Sequence, residues 1–243
     1  MKELYSGAHY FISGFELIAQ PGLKRFVAIP LLINFILFAV IFLIFKHFIG
    51  EFNAWFANFL PAWLHWLSAL LWLLFFSSFL LFFTFTFVAF SNILAAPFNS
   101  LLSEKVERYL TGQSLGEGSW FETIKDIPRV IGRQLTVIFY YLPRACLLLI
   151  LFFIPIVQAV AALLWFLFNA WFMTLTYLDY PTDNHRISFR DTRMWLKQKR
   201  LCGLGFGMSV LITAMVPGLN VFVMPAAVAG ATKWWVETKR KVG

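Results

Sequence analysis

The stretch that decides the fold is Pro21-Gly22-Leu23-Lys24-Arg25 followed by the uncharged run FVAIPLLINFILFAVIFLIF at residues 26–45. At about 1.5 Å per residue, a helix of this length crosses a hydrocarbon core of roughly 30 Å. The first N–H groups of a helix lack intrahelical partners and carry partial positive charge. A small oxyanion suits such a helix start, where Gly22 admits it to the backbone and Pro21 opens the helix without wasting a donor. The alternative is that Lys24 and Arg25 only anchor the helix end and set its orientation.

The composition requires a membrane. Of 243 residues, 60% are hydrophobic and 13% are charged, and Phe alone occurs 30 times. A soluble domain of this size cannot bury so much apolar surface. The net charge of +8 comes from cations placed between apolar segments. It therefore indicates a lipid bilayer with anionic headgroups as the partner and argues against nucleic acid.

Two long apolar segments predict a transmembrane helical hairpin within residues 21–110. The spans run from Leu23 to Phe48 and from Leu67 to Ser103, and a Trp-rich turn around Pro61 joins them at headgroup depth. The second helix continues into polar residues and ends at Thr111-Gly112. Nearly all Lys and Arg residues precede the first apolar run or follow the second, so both termini are predicted to be cytoplasmic.

Residues 1–20 are predicted to form an amphipathic helix on the membrane surface. Its apolar stripe follows steps of three and four residues: Tyr5, Ala8, Ile12, Phe15 and Ala19.

Residues 111–200 combine basic amphipathic helices with an apolar segment that Pro155 divides. Phe121 to Tyr141 is predicted to be a basic amphipathic helix, and the uncharged segment runs from Ala145 to Leu178. Its part before Pro155 is too short to cross a bilayer. A single tilted span and a partly inserted hairpin both fit, and the hairpin is preferred because its polar ends then lie on the same side.

Residues 201–243 are predicted to form a re-entrant hairpin and a basic C-terminus. Pro217-Gly218-Leu219-Asn220 breaks the apolar region into arms shorter than the roughly twenty residues needed to span. Non-helical backbone at this depth needs protein neighbours or a water-filled cavity, so we expect a homo-oligomer. The chain (1–243) is thus predicted to be one domain, an all-α integral membrane protein. It has two long transmembrane helices, partly inserted (re-entrant) helical hairpins and surface amphipathic helices.

Catalytic and metal-binding patterns are poorly represented. The histidines are scattered, and no Walker A loop is present. One titratable cluster lies beside many cations and is predicted to be a solvated surface network rather than a metal site: Asp179, Asp183, His185 and Asp191. We therefore expect no enzyme, no metal site and no cofactor.

A possible polar path lies on the second long helix. Asn99 needs a partner in a low-dielectric setting, and Glu104 and Arg108 are four residues apart and can pair on one helix face. Together these residues would gate a path where helices converge. The alternatives are a hydrogen bond between helices for Asn99 and a surface salt bridge for the other two.

Several long, ordered segments resemble the CysZ family of bacterial inner-membrane sulfate transporters. The resemblance covers nearly the whole chain and lies in these segments: residues 15–26, 30–34, 95–102, 179–185, 217–220 and 224–232.

The resemblance implies sulfate uptake for cysteine biosynthesis by an oligomeric multi-pass protein of the bacterial inner membrane. It also implies two long membrane helices with hairpins that enter only partway. The family's sulfate-binding segment resembles Gly22, Leu23, Lys24 and Arg25 here. The family often has two arginines after the Gly-Leu pair, and Lys24 replaces the first of them by a point charge.

The sequence and the resemblance together predict a channel-like sulfate permease without an ATPase. Carboxylates suited to a proton relay are lacking in the apolar runs, which favours a channel over a proton-coupled carrier. The alternative function is a non-transporting membrane scaffold or regulatory protein.

Overall fold

The computed structural model describes residues 2–59, 61, 67–113 and 120–240. Within these ranges it describes every side chain except those of residues 45, 48–59, 68–69, 82, 85–96, 120–127, 130–131 and 240. These ranges contain helices and turns and no strand. The helices are α1 (Lys2–Ile18), α2 (Lys24–Phe59), α3 (Ser68–Thr111), α4 (Trp120–Leu151), α5 (Gln158–Asn184), α6 (Phe189–Gln198), α7 (Arg200–Ala214) and α8 (Asn220–Arg240).

Three helical segments of the described chain are long and apolar enough to cross a membrane. They are Lys24–Ile44, Gly132–Leu151 and Gln158–Asn184, and two shorter apolar helical segments are Leu70–Leu81 and Arg200–Ala214. Few of the residues in the three long segments are buried within the protein, which leaves most of their apolar side chains exposed. The chain is therefore an all-helical membrane protein.

The chain divides into two compact units. One comprises Ala28–Ala95 and contains an aromatic contact between Phe38 and Phe83, whose ring centroids are 6.4 Å apart. The predicted Trp-rich turn falls in this unit. Helix α2 continues to Phe59, Pro61 is not helical, and the rest of that turn lies outside the described residues.

The second unit comprises Met1–Val27 and Ala96–Gly243, and α1 packs in it against both α7 and α8. Gly7 and Gly14 let the helix backbones meet, since a Cβ on Gly14 would lie 1.9 Å from the Ala226 carbonyl oxygen. Phe11 is buried on the same face.

The apolar stripe predicted for α1 is not the face that packs against α7 and α8. Tyr5 is 76% exposed and Ile12 is exposed too, so the contact of this stripe with a membrane surface stays a prediction. The packed face carries Gly7 and Gly14, which bury backbone and have no apolar side chain. Hydrophobic periodicity depends on apolar side chains, so it identified a different face of α1.

Helix α4 is continuous, which corrects the predicted boundary between a basic helix ending at Tyr141 and an apolar arm beginning at Ala145. Pro143 lies inside the helix, where it removes a backbone hydrogen bond without ending a helix whose neighbouring bonds persist. The apolar piece before Pro155 belongs to this helix, whose section Gly132–Leu151 is 20 residues long and could cross a membrane by length and composition.

Helix α5 folds back along α4 after a turn at residues 152–157. The Tyr141 ring stacks on Phe168 with centroids 5.4 Å apart, and its hydroxyl donates to Asn169 Oδ1 at 3.3 Å. These contacts favour the hairpin over the single tilted span. How deeply the hairpin enters the membrane stays a prediction.

Helices α7 and α8 are joined by a turn at residues 215–219, where the sequence predicted the break. Gly218 has φ 86° there, a left-handed conformation that glycine adopts without steric cost. A core cluster of this unit combines large side chains from α5, α6 and α8: Leu175, Leu178, Phe189, Leu196 and Trp234. The depth of this hairpin in the membrane also stays a prediction.

Candidate functional site

A tight turn between α1 and α2 presents the predicted anion-binding residues. The Leu23 N–H donates to the Gln20 carbonyl oxygen at 3.2 Å, and Gly22 has φ 89°. Pro at the second position of a four-residue turn and a left-handed Gly at the third are the pattern of a type II turn. Pro21 therefore shapes this turn and does not open the helix as predicted, because α2 begins at Lys24.

The turn leaves backbone donors free at its outer side. Leu23 uses its N–H within the turn, and the Phe26 N–H donates to the Leu23 carbonyl oxygen at 3.0 Å. Within the described residues, the N–H groups of Gly22, Lys24 and Arg25 have no backbone acceptor. No atom lies within 4 Å of the position of a Cβ on Gly22, so a ligand can reach this backbone.

The side chains of the turn divide into two roles. Lys24 and Arg25 are exposed, and neither forms an ion pair with any carboxylate that the structure describes. The Arg25 guanidinium lies 5.1 Å from the Phe26 ring centroid. Leu23 is only 4% exposed and, with Val27, anchors the turn in the protein. The structure thus brings Gly22, Lys24 and Arg25 together at the surface and assigns Leu23 a packing role.

The electrostatics of this turn favour an anion. The start of α2 carries partial positive charge from its free N–H groups, and two whole positive charges lie beside it. Spread N–H donors with a guanidinium suit a tetrahedral oxyanion, because they reach several oxygens at once.

The predicted polar path lies on the C-terminal part of α3. Asn99 is 6% exposed and its Nδ2 donates to the Tyr180 hydroxyl at 3.2 Å, a hydrogen bond between helices. Glu104 lies 3.3 Å from the Lys105 Nζ instead of pairing with Arg108, which is exposed and forms no ion pair with Glu104. The path through these residues stays a prediction.

A second cluster was missed at the sequence level, where α3, α4 and α5 meet. The Arg133 guanidinium donates to both carboxylate oxygens of Asp179, at 2.6 and 2.9 Å. One helical turn away, Arg129 forms a salt bridge with Asp183. Asp179 is only 7% exposed, so the prediction of a solvated surface network was wrong for this pair.

The other members of that cluster also have specific partners. His185 Nε2 lies 2.8 Å from a Glu107 carboxylate oxygen, and Ser100 donates to the Asn184 side chain at 2.6 Å. The Ser188 hydroxyl accepts from the Asp191 N–H at 3.1 Å, which caps the start of α6. No grouping of three metal-type ligands occurs within the described ranges.

The missed ion pairs had a readable signal. Arg129 and Arg133 are four residues apart, as are Asp179 and Asp183, so each pair lies on one helix face. Antiparallel packing of α4 and α5 then brings the cations opposite the carboxylates in reverse order.

The fold and this turn define a helical membrane protein with an exposed cationic site where a membrane-capable helix begins. Residues 10–225 match the family described as "Sulfate transporter CysZ/Etoposide-induced protein 2.4". The chain is also 44% identical over 241 residues to "Sulfate transporter CysZ" of Pectobacterium atrosepticum, which covers 98% of this chain and 86% of that protein. The chain therefore belongs to the CysZ family of sulfate transporters, which confirms the resemblance read from its sequence.

Proposed function

We propose that this chain transports sulfate across the bacterial inner membrane, supplying cysteine biosynthesis, and binds the ion first at Gly22, Lys24 and Arg25. The observation that carries the proposal is the turn itself. It exposes backbone N–H groups without acceptors beside two cations that have no carboxylate partner in the described chain. The relative's name, a sulfate transporter, supports sulfate as the oxyanion.

The site suits transient binding. Sulfate is a dianion whose desolvation is costly, and an exposed turn replaces only part of its hydration. The Arg25 guanidinium offers two parallel donors, whereas the Lys24 ammonium acts as a point charge. We therefore expect weak, reversible binding at an entrance, as a conducting protein needs.

A channel-like mechanism without an ATPase fits the charges of the second unit. Asp179 lies in an apolar segment, where a free carboxylate would be a candidate proton carrier. Its two oxygens are occupied by Arg133. This pairing favours passive conduction over proton coupling, and we propose that the chain is not an enzyme.

The proposed architecture has two full crossings, in α2 and α3, with the α4–α5 and α7–α8 hairpins inserted partway. The hairpin tips are apolar and exposed: Ile156 is 94% exposed and Met215 is 74% exposed. Two crossings cannot enclose a hydrated path, and inserted tips need shielding from neighbouring protein. We therefore propose a homo-oligomer, at least a dimer.

Transport by purified protein in liposomes tests the function. Radiolabelled sulfate should enter vesicles that contain the protein faster than vesicles without protein. Vesicles that contain the Lys24→Ala/Arg25→Ala double variant should take up sulfate more slowly than those with the parent. A non-transporting scaffold or regulator is the alternative function, motivated by the basic surface of the chain. If the protein reconstitutes folded and passes no sulfate, the scaffold function replaces the proposal.

Cysteine labelling tests the architecture. In a variant lacking Cys146 and Cys202, a cysteine is placed at exposed Val216 and compared with one at Lys239. Labelling of position 216 only from the side opposite position 239 would make α7–α8 a double crossing. Mass measurement in mild detergent tests the oligomer, and a monomer that still transports sulfate would contradict it.

A further inference from the structure

Two arginines outside the sulfate turn flank one tyrosine and have no acidic partner among the described residues. The Arg144 guanidinium carbon lies 4.0 Å from the Tyr140 ring centroid, and that of Arg193 lies 5.3 Å from it. Neither arginine forms an ion pair with a carboxylate among the residues that the structure describes. By contrast, nearby Arg133 is paired with Asp179.

The Arg193 side chain also retains an unused donor. Its Nε atom is buried and has no hydrogen-bond acceptor within the part of the chain that the structure describes. Because this Nε is closed to solvent, a ligand would reach the guanidinium through its two terminal nitrogens, whose positive charge has no carboxylate partner among the described residues. Arg144 uses one nitrogen to donate to the Tyr140 carbonyl oxygen at 2.6 Å, which leaves other guanidinium donors free.

The Tyr140 ring fixes the geometry of this site. It contacts Phe189 edge-on, with centroids 5.6 Å apart, and packs against the core of its unit. Arginine side chains that lie on an aromatic ring are held in place and lose less freedom when an anion binds. The two guanidinium groups thus form a prepared site for an oxyanion.

The surroundings select a lipid rather than a free ion. Beyond Arg144, α4 continues for about 10 Å to its end at Leu151 and exposes apolar side chains. Leu147 is 63% exposed and Ile150 is 59% exposed. A phosphate at the guanidinium groups and acyl chains along these residues would satisfy both the charges and the apolar surface. Arg144 would then lie at headgroup depth, since a guanidinium within hydrocarbon is costly.

We propose that Arg144 and Arg193, together with the Tyr140 ring, bind the phosphate of an anionic phospholipid. This site is distinct from the sulfate turn and holds whether or not the chain transports sulfate. It places the membrane interface at Arg144, which leaves only the apolar end of α4 to enter the bilayer.

Native mass spectrometry of the full chain in mild detergent tests the proposal, with phosphatidylglycerol and phosphatidylcholine as competing probes. The parent should retain phosphatidylglycerol preferentially. Arg144→Gln/Arg193→Gln should lower its affinity by about tenfold or more, the effect of losing a hydrogen bond to a charged group. Lys197→Gln/Arg200→Gln removes two exposed cations of the same region and should change little. Arg144→Gln alone alters an exposed side chain, so it should weaken binding without affecting folding.

Each contrary outcome overturns the proposal. Equal retention by the parent and the Arg144→Gln variant would show that the arginines do not bind lipid. If the Lys197→Gln/Arg200→Gln control lost as much affinity for phosphatidylglycerol, the lipid would be held by the overall positive charge of the region and not by a specific site. Displacement of phosphatidylglycerol by excess sulfate in the parent would make this a free oxyanion site. Unchanged phosphatidylglycerol retention in excess sulfate supports the lipid site.

Discussion

Two guanidinium nitrogens of Arg133 donate hydrogen bonds to the Asp179 carboxylate, at 2.6 and 2.9 Å, and both side chains are largely removed from solvent. This pair joins α4 to α5, and the Arg129–Asp183 salt bridge lies one helical turn away between the same helices. A charge left there without its partner would lose hydration without compensation, so the two residues depend on one another.

Removing one member of this pair should be strongly destabilising. Arg133→Ala should lower the free energy of unfolding by about 3 kcal/mol, because it leaves a buried carboxylate unpaired. Replacing both charges, as in Arg133→Met/Asp179→Leu, should recover most of that loss. Thermal unfolding in detergent measures the effect.

The control is the more exposed pair of Lys105 and Glu104, whose atoms lie 3.3 Å apart. Lys105→Ala should cost less than about 1 kcal/mol, as expected for ion pairs near the surface. Equal losses for Arg133→Ala and Lys105→Ala would contradict the importance of burial.

Gly22 and Gly112 provide a matched test of backbone access at the turn. Both have positive φ, 89° and 72°, and neither has an atom within 4 Å of its Cβ position. Valine at either site should therefore cause a similar strain, about 1–3 kcal/mol. Only Gly22→Val should also weaken sulfate binding, since it blocks the approach of the ion to free N–H groups. Sulfate binding on folded variants, followed by calorimetry, distinguishes the two. A matching loss of binding in Gly112→Val would mean that strain alone is responsible.

Tyr10 should make stability depend on pH in alkaline solution. Burial, followed by the 3.0 Å hydrogen bond to Glu237, raises the pKa of Tyr10 from 10.0 to about 12. Between these values the folded state keeps the phenol proton while the unfolded state has lost it. The unfolded state then binds fewer protons, so stability falls as pH rises from about 10 to about 12.

Unfolding measured across that pH range checks this effect. Tyr10→Phe should reduce the decline, whereas Tyr5→Phe, at a tyrosine that is exposed, should leave it unchanged. A decline of equal steepness in the parent and Tyr10→Phe would show that other groups cause it.

The sequence predicts helices better than it predicts the faces they bury. The apolar run at residues 26–45 specifies a membrane-capable helix by itself, because length and apolarity are local properties. The face that α1 buries depends on Gly7 and Gly14, whose role exists only once the backbones of α7 and α8 lie against them. Pro143 suggested that a helix ends near Tyr141, but α4 continues past it to Leu151. The backbone hydrogen bonds on either side of a proline decide whether a helix continues, and they are not visible in the sequence.

The candidate site shows the same division. Gly22, Lys24 and Arg25 can be identified as a potential anion site from a glycine and cations at a helix start. The sequence does not reveal that the Leu23 N–H donates to the Gln20 carbonyl oxygen or that the Leu23 side chain is buried, since both features depend on the folded turn. The partners of Asp179 and His185 likewise come from helices distant in sequence.

Arg25 should contribute more to sulfate binding than Lys24. A guanidinium offers two parallel donors to an oxyanion, whereas an ammonium makes one strong contact in any pose. Arg25→Ala should therefore weaken binding by about tenfold or more, and Lys24→Ala by less. Lys24→Arg should strengthen binding because it restores a second planar group, and chloride should compete poorly because a sphere cannot use several spread donors. Calorimetry on folded variants measures these affinities, with Lys197→Ala as a control for the loss of one exposed charge. If Lys24→Ala/Arg25→Ala binds sulfate as well as the parent, the two cations only anchor and orient α2.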